Sequence, residues 1–365
     1  MDCKYCFYKV LSSRREKYSH GFMTEETLEK LVKEAVSYAD GSLTFAFQGG
    51  EPSLRGLDFF KTAVELQKKY AKEKPGLVIE NTFQTNGLLI DEQWCDFFRK
   101  EHFLVGLSLD GTRKLHDSAR LDTGGKETFE RVMDTASRLK QYGVDFNILT
   151  VVTEQITDKA SALYNFYKRN KFPFIQLIPC MDELNRNADN TRNPYAVEPL
   201  SYGKFLCDFF DLWYEDFMRW LSHGRTGYVM DVRFFSNIAQ MAAGYPPEEC
   251  GLCGHCTCYF AVEGSGNVYP CDFYCTDEWK LGEVGTPFYE LLDSDKARSF
   301  LKKSLLPMDH ACRSCEYYPL CRGGCRRWRE TDVNHLNTNY LCEGLMKFYS
   351  HTRDRFAILG STIKQ

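Results

Sequence analysis

The chain has 365 residues, 43% of them hydrophobic and 26% charged, the proportions of a globular protein with room for one large barrel or two domains. Its net charge of −4 supplies no basic field for nucleic acid, and no apolar run reaches the roughly 20 residues of a membrane-spanning helix. Met1-Asp2-Cys3 lacks the basic-then-apolar pattern of an export signal, so a cytoplasmic location is expected, where thiols stay reduced.

Taken in order, the chain opens on Cys3-x2-Cys6 with Phe7 and Tyr8 behind it. Thr24-Glu25-Glu26 predicts a helix start, a hydroxyl cap followed by acids in the first turn. Leu28, Leu31, Val32, Ala35 and Val36 follow at helical spacing. Leu43 to Phe47 predicts a strand running into Gln48-Gly49-Gly50-Glu51-Pro52, a turn that glycine allows at little cost. Val78 to Gln84 predicts a second strand, ending at Thr85-Asn86-Gly87. Phe103 to Leu109 predicts a third, ending at Asp110-Gly111. A helix is expected through Phe129, Val132, Met133, Ala136 and Leu139, closed by Gly143. Asp145 to Val152 and Phe174 to Ile178 complete the strand series. This β–α alternation implies a parallel sheet or barrel with helices outside, and a polar rim after the strands as the place for a site. Alternation alone leaves a partial barrel and a doubly wound sheet both open.

Arg186 to Pro199 reads as a polar loop. Phe205 to Leu221 reads as a helix carrying Asp208, Asp211, Glu215 and Asp216 among Phe209, Trp213, Tyr214 and Phe217. It is either an amphipathic packing helix or an acidic, aromatic wall for a basic peptide side chain.

Cysteine is distributed unevenly. Eleven of the 16 lie between Cys250 and Cys342, which puts a domain boundary near residues 230 to 250. The first pattern is Cys250-x5-Cys256-x9-Gly266-x4-Cys271. The second is Cys312-x2-Cys315-x5-Cys321-x3-Cys325, with Cys342 beyond. Reduced thiols at such spacing point to metal or cluster ligation rather than disulfides. Thiolate sites accept zinc or iron–sulfur clusters, so spacing does not choose between them.

Four stretches narrow the reading: Phe47-Gln48-Gly49-Gly50-Glu51-Pro52, Phe210 to Phe217, Tyr269-Pro270-Cys271-Asp272-Phe273-Tyr274, and Gly323-Gly324-Cys325-Arg326-Arg327. With the Cys3 loop and the C-terminal cysteines, they make the chain resemble the radical S-adenosylmethionine enzymes that end in a SPASM cluster domain. Among these it resembles the anaerobic sulfatase-maturating enzymes, over essentially its whole length. The resemblance implies an α/β fold, with a partial (β/α)6 barrel at residues 1–235 and a cysteine-rich SPASM domain at 236–365. It implies S-adenosylmethionine and three [4Fe–4S] clusters as cofactors. Cys3 and Cys6 match the last two cysteines of a Cys-x3-Cys-x2-Cys loop. The first is expected two residues before Met1 and a strand before that, so the chain is expected to be truncated or mis-started and the N-terminal cluster incomplete. Cys250, Cys256, Cys271 and Cys325 are implied for one auxiliary cluster, and Cys312, Cys315, Cys321 and Cys342 for the other. Cys95, Cys180, Cys207, Cys253, Cys258 and Cys275 are left over, most of them expected as small buried hydrophobes.

The resemblance also assigns Glu51 to the amino group of S-adenosylmethionine, and Tyr8, Gly50, Ser108, Arg120 and Met181 as further cofactor contacts. Taken alone, Ser108 reads as a strand-end hydroxyl, Arg120 as a surface charge and Asp272 as a turn aspartate. The family pattern makes Asp272 the general base. The implied reaction begins with a 5′-deoxyadenosyl radical removing a β-hydrogen from the cysteine or serine of a Cys/Ser-x-Pro-x-Arg sulfatase peptide. Asp272 takes the thiol or hydroxyl proton, a second electron leaves through the auxiliary clusters, and formylglycine results, directly from serine or, from cysteine, through a thioaldehyde that water hydrolyses with loss of hydrogen sulfide. An unfolded or nascent sulfatase polypeptide and a reduced flavodoxin or ferredoxin are the expected partners, with neither nucleic acid nor membrane. The alternatives are another SPASM peptide modifier, such as a thioether-forming maturase, or a radical-dead cluster-binding fragment.

Overall fold

Strand β1 (Ser42–Phe47) pairs in parallel with β2 (Val78–Thr85), Ser42 opposite Val78 and Phe47 opposite Phe83. Four more parallel strands follow in chain order: β3 (Leu104–Ser108), β4 (Phe146–Val152), β5 (Phe174–Pro179) and β6 (Asp231–Val232). The computed structural model describes residues 1–184, 192–305, 310–331 and 338–363. The polar loop expected from Arg186 therefore lies partly outside the described residues.

Side-chain alternation gives the sheet two unlike faces. In β4, Phe146, Ile148, Thr150 and Val152 are buried and the residues between them are not. Phe45, Phe83, Val105 and Leu107 join the same apolar layer, under the helices Glu25–Tyr38, Leu57–Ala71, Glu92–Lys100 and Phe129–Tyr142. The opposite face carries Thr44, Thr82, Gln84 and Ser108, all at least partly accessible. Gly106 makes room on that face, since a Cβ there would stand 2.1 Å from Gln84 Oε1.

The local signals act as expected. Thr24 Oγ1 accepts the Thr27 amide at 3.1 Å and caps Glu25–Tyr38. Gly143, left-handed at φ 66°, closes Phe129–Tyr142. The helix Pro199–Ser222 behaves as a packing helix, with Phe205, Phe209, Phe210 and Trp213 buried. Its acids are engaged within the protein. Asp211 meets Arg355 at 2.6 Å and His351 at 2.8 Å, and Asp216 meets Lys168 at 2.6 Å and Arg219 at 2.7 Å. Asp208 pairs with Lys204 one turn back, so the acidic-wall reading finds three of its four acids already paired.

Beyond the parallel sheet lies a three-stranded antiparallel sheet, β7 (Ala261–Val262), β8 (Asn267–Tyr269) and β9 (Gly282–Glu283). The last helix, Cys342–Ile363, returns to pack on Pro199–Ser222. Contact there is backbone on backbone. A Cβ on Gly344 would stand 1.8 Å from the Pro199 carbonyl oxygen, and one on Gly203 2.4 Å from that of Gly344. Phe210 then meets Phe356 at 4.8 Å. One apolar core runs from Leu28 to Leu359 and so joins both ends of the chain. No helix among the described residues is long and apolar enough to cross a membrane.

Candidate active site and cysteine clusters

Because all six strands run parallel, their C-terminal ends share one rim. Glu51 follows β1, Ser108 ends β3, Asp110 lies just past it, and Met181 follows β5. The loop of Cys3 and Cys6 is tied to this rim by backbone bonds, Asp2 N to Leu121 O at 2.7 Å and Lys4 N to Ala119 O at 3.0 Å.

A buried ion pair lies behind Cys3. Arg120, 6% exposed, donates Nε to Asp110 Oδ2 at 2.8 Å and Nη2 to Oδ1 at 3.2 Å. Its Nη1 is 3.8 Å from Cys3 Sγ. Asp110 also accepts the Tyr5 hydroxyl and, at 3.0 Å, the Val151 amide. Burial pushes the Cys3 thiol up, while Arg120 pulls it the other way. Arg120 is therefore not the surface charge that it resembles in isolation. Asp110 carries one sequence signal for such a role, an acid placed directly after a barrel strand.

His116 supports this pair. Its Nδ1 accepts the Asp110 amide at 3.3 Å, and its Nε2 donates to Thr128 Oγ1 at 3.0 Å, whose own hydroxyl donates to the Arg120 carbonyl at 2.6 Å. Burial, then Arg120, lowers its pKa from 6.5 to about 4. Between those values the unfolded chain takes up a proton that the folded chain refuses. Stability should therefore fall as the pH drops from 6.5 towards 4, by at most about 3 kcal/mol from this group. Urea midpoints measured across that range should slope less steeply in His116→Gln. Equal slopes would show that His116 does not control the acid limb.

Glu51 sits in the Gly49-Gly50 turn, where φ is 90° and 56°. Its Oε1 accepts Ser53 Oγ at 2.6 Å, Ser53 N at 3.2 Å and Thr85 Oγ1 at 2.7 Å, and its Oε2 accepts the Asn86 amide at 2.8 Å. A carboxylate has about four lone-pair sites over its two oxygens, so room for an ammonium remains on Oε2. Gly50 has open space where a side chain would be, and the Tyr8 ring lies 3.8 Å from the Cβ position of Gly49. Ser108 Oγ accepts Gln84 Nε2 at 3.1 Å. Met181 is partly buried against the apolar core.

The C-terminal part of the chain meets this rim at Asp272. Gln48, just after β1, donates to Asp272 Oδ2 at 3.1 Å. Oδ1 accepts the Tyr259 hydroxyl and, at 3.0 Å, the Phe273 amide. The Tyr259 hydroxyl is also 3.0 Å from Cys271 Sγ. Phe7 packs on Phe273 with ring centres 5.0 Å apart, and Arg15, almost fully buried, reaches Glu263 at 2.7 Å and the Cys275 carbonyl at 2.5 Å. Sequence reasoning missed Gln48 and Tyr259 as partners of Asp272, because neither has a local signature.

The cysteines fall into two neighbourhoods. Burial pushes the Cys325 thiol up to about 12, and Cys256 and Cys250 are near enough to add to the rise. Burial also raises Cys271, with Asp272 and, more weakly, Cys325 adding. In the other group burial pushes Cys321 up to about 12, with Cys312, Cys342 and Cys315 adding. Each neighbourhood contains four cysteines that the family pattern implies for one cluster, and the first also takes in Cys253 and Cys258. Among the described residues, no three ligating side chains converge tightly enough to grip one ion. A cubane offers a separate iron to each thiolate, so it suits wider sets than a single zinc does. Of the remaining cysteines, Cys95, Cys180, Cys207 and Cys275 are buried, whereas Cys253 and Cys258 are partly exposed beside the first set.

Family models agree with this division of chemistry. The radical SAM superfamily matches residues 1–166, and the SPASM iron-sulfur cluster-binding domain matches residues 247–316. Fold and site thus define a radical SAM enzyme with a SPASM domain. The cysteine-type anaerobic sulfatase-maturating enzyme of Clostridium perfringens is 40% identical over 366 residues, 100% of this chain and 96% of that protein. The serine-type enzyme of Bacteroides thetaiotaomicron is 31% identical, over 96% of this chain and 86% of its own. The structure of native anSMEcpe with bound AdoMet and Cp18Cys peptide matches with a TM-score of 0.90 at 38% identity, covering 99% of this chain and 96% of that one. The chain belongs to the anaerobic sulfatase-maturating enzymes.

Proposed function

We propose that the protein oxidises a cysteine in a Cys-x-Pro-x-Arg sulfatase peptide to formylglycine, with serine as the lesser target. The full-length match to a structure that holds both AdoMet and a cysteine peptide carries this reading. Preference for cysteine rests on the higher identity to the cysteine-type relative, 40% against 31%.

Cys3 and Cys6 would be two ligands of the N-terminal [4Fe–4S] cluster. Cys250, Cys256, Cys271 and Cys325 would hold one auxiliary cluster, and Cys312, Cys315, Cys321 and Cys342 the other. The thiol donors and their grouping fit these clusters. When bound, the N-terminal cluster and S-adenosylmethionine supply hydrogen-atom abstraction from an unactivated Cβ. The chain's own residues position and insulate that chemistry. Glu51 would take the cofactor's ammonium on its freer oxygen, with Tyr8, Gly50, Ser108, Arg120 and Met181 as the other contacts. Asp272, held by Gln48, Tyr259 and the Phe273 amide, would accept the target's thiol proton. The division at residue 235, a reduced flavodoxin or ferredoxin as electron donor, and a cytoplasmic location belong to the same reading.

The test is anaerobic turnover of a cysteine peptide, read by mass spectrometry. Conversion of the thiol to an aldehyde is the expected result. Cofactor cleavage with an unchanged peptide would sink the proposal and favour another peptide modification.

A further inference from the structure

Three arginines behind Cys325 are buried in a way that their sequence does not announce. Arg326, Arg327 and Arg329 are 4%, 6% and 4% exposed, although arginine is rarely buried without a counter-charge. Arg326 donates to Glu330 at 2.6 Å and to the Phe300 carbonyl at 3.2 Å. Its guanidinium lies 4.7 Å from the ring centre of Tyr274, 4.8 Å from Phe300 and 5.0 Å from Trp279. Arg327 donates to the Asp182 carbonyl oxygen and, at 3.4 Å, to Thr331 Oγ1. Arg329 donates to the Ser304 carbonyl at 2.9 Å, and its Nε has no partner among the described residues. Within those residues Glu330 is the one carboxylate in ion-pair contact with any of the three.

Three buried cations face two carboxylates, Glu330 and Asp182, the latter acting on Arg327, and are unfavourable unless further negative charge stands nearby. The thiols of the first set stand there. Cys256 and Cys271 pack against the aromatic group that surrounds Arg326. The Cys256 amide donates to Ser304 Oγ at 3.1 Å, on the residue whose carbonyl holds Arg329. The Arg327 amide donates to Cys325 Sγ at 3.4 Å. Arg326 and Arg329 also pull the Cys256 thiol down against the larger upward push of burial.

We propose that Arg326, Arg327 and Arg329 form a cationic seat for the cluster on Cys250, Cys256, Cys271 and Cys325, raising its reduction potential. A fixed positive charge in a poorly screened interior favours the more negative, reduced form of a cluster. The hydrogen bond from the Arg327 amide to sulfur acts in the same direction.

The inference rests on the cluster assignment above, which iron and sulfide analysis of the wild-type chain tests separately. The experiment is an EPR-monitored redox titration in a Cys3→Ala, Cys6→Ala background, which leaves only the auxiliary clusters. Arg329→Gln should shift the reduced-to-oxidised ratio of one cluster about tenfold towards oxidised at fixed potential, about 59 mV for one electron. Arg329→Lys should keep the wild-type value, and the other cluster should not move. Loss of that cluster from Arg329→Gln but not from Arg329→Lys would support the same role, because charge and not shape was then required. An unchanged potential in loaded Arg329→Gln, equal shifts in both clusters, or loss of the cluster from both variants would overturn it.

Discussion

Asp272→Asn is expected to abolish peptide oxidation while leaving cofactor cleavage in place. The carboxamide keeps the size of the side chain but cannot take a proton. Four donors converge on the carboxylate in the native chain: Gln48 Nε2 at 3.1 Å, the Phe273 amide at 3.0 Å, Cys271 Sγ at 3.4 Å and the Tyr259 hydroxyl. They aim the group and suit an anion. A positioned general base contributes about 10²-fold to 10⁴-fold, so formylglycine should fall at least about 100-fold. The assay quantifies 5′-deoxyadenosine and aldehyde peptide from the same anaerobic reaction, with iron content as the control for the adjoining Cys271. Product within a few-fold of wild type would remove Asp272 from the chemistry.

Asp110→Asn should be the most destabilising single change around the Cys3 loop. It leaves the Arg120 guanidinium buried without its anion and weakens the hold on Tyr5 and the Val151 amide. Removing one partner of a buried pair costs about 3–5 kcal/mol. Urea unfolding of the chain under anaerobic conditions measures the loss, and the iron content per chain should fall with it. The double variant Asp110→Asn, Arg120→Gln should recover part of the loss, because no orphaned charge then remains. A double variant as unstable as the sum of the singles would mean that the two residues act separately.

Much of the architecture was legible because it is written locally. Thr24 capping a helix, Gly143 ending one and the alternation of β4 are near-neighbour effects, and each appears where the sequence places it. The short strand β6 went unread. Its two residues, Asp231 and Val232, are too few to show a period. The helix Pro199–Ser222 was legible as a helix, but the fate of its acids was not, since Lys168 and Arg355 come from other helices.

The same division holds at the site. Cysteine spacing, the Gly49-Gly50-Glu51 turn and the Cys271-Asp272 step are properties of adjacent residues, and the reading of a radical enzyme with a cluster domain came through the family resemblance that they and the other motif stretches carry. Which residues surround them was decided by the fold. Tyr5 meets Asp110 across 105 positions, Gln48 meets Asp272 across 224, and Arg327 meets Asp182 across 145. Spacing along a chain carries no information about such encounters. They follow from a parallel sheet gathering its strand ends on one rim and from a C-terminal unit packed against that rim. Burial works in the same way. Arg120 and Arg326 are both arginines on a polar stretch of sequence, and only the packing around them turns each from a solvated charge into a buried cation facing thiols.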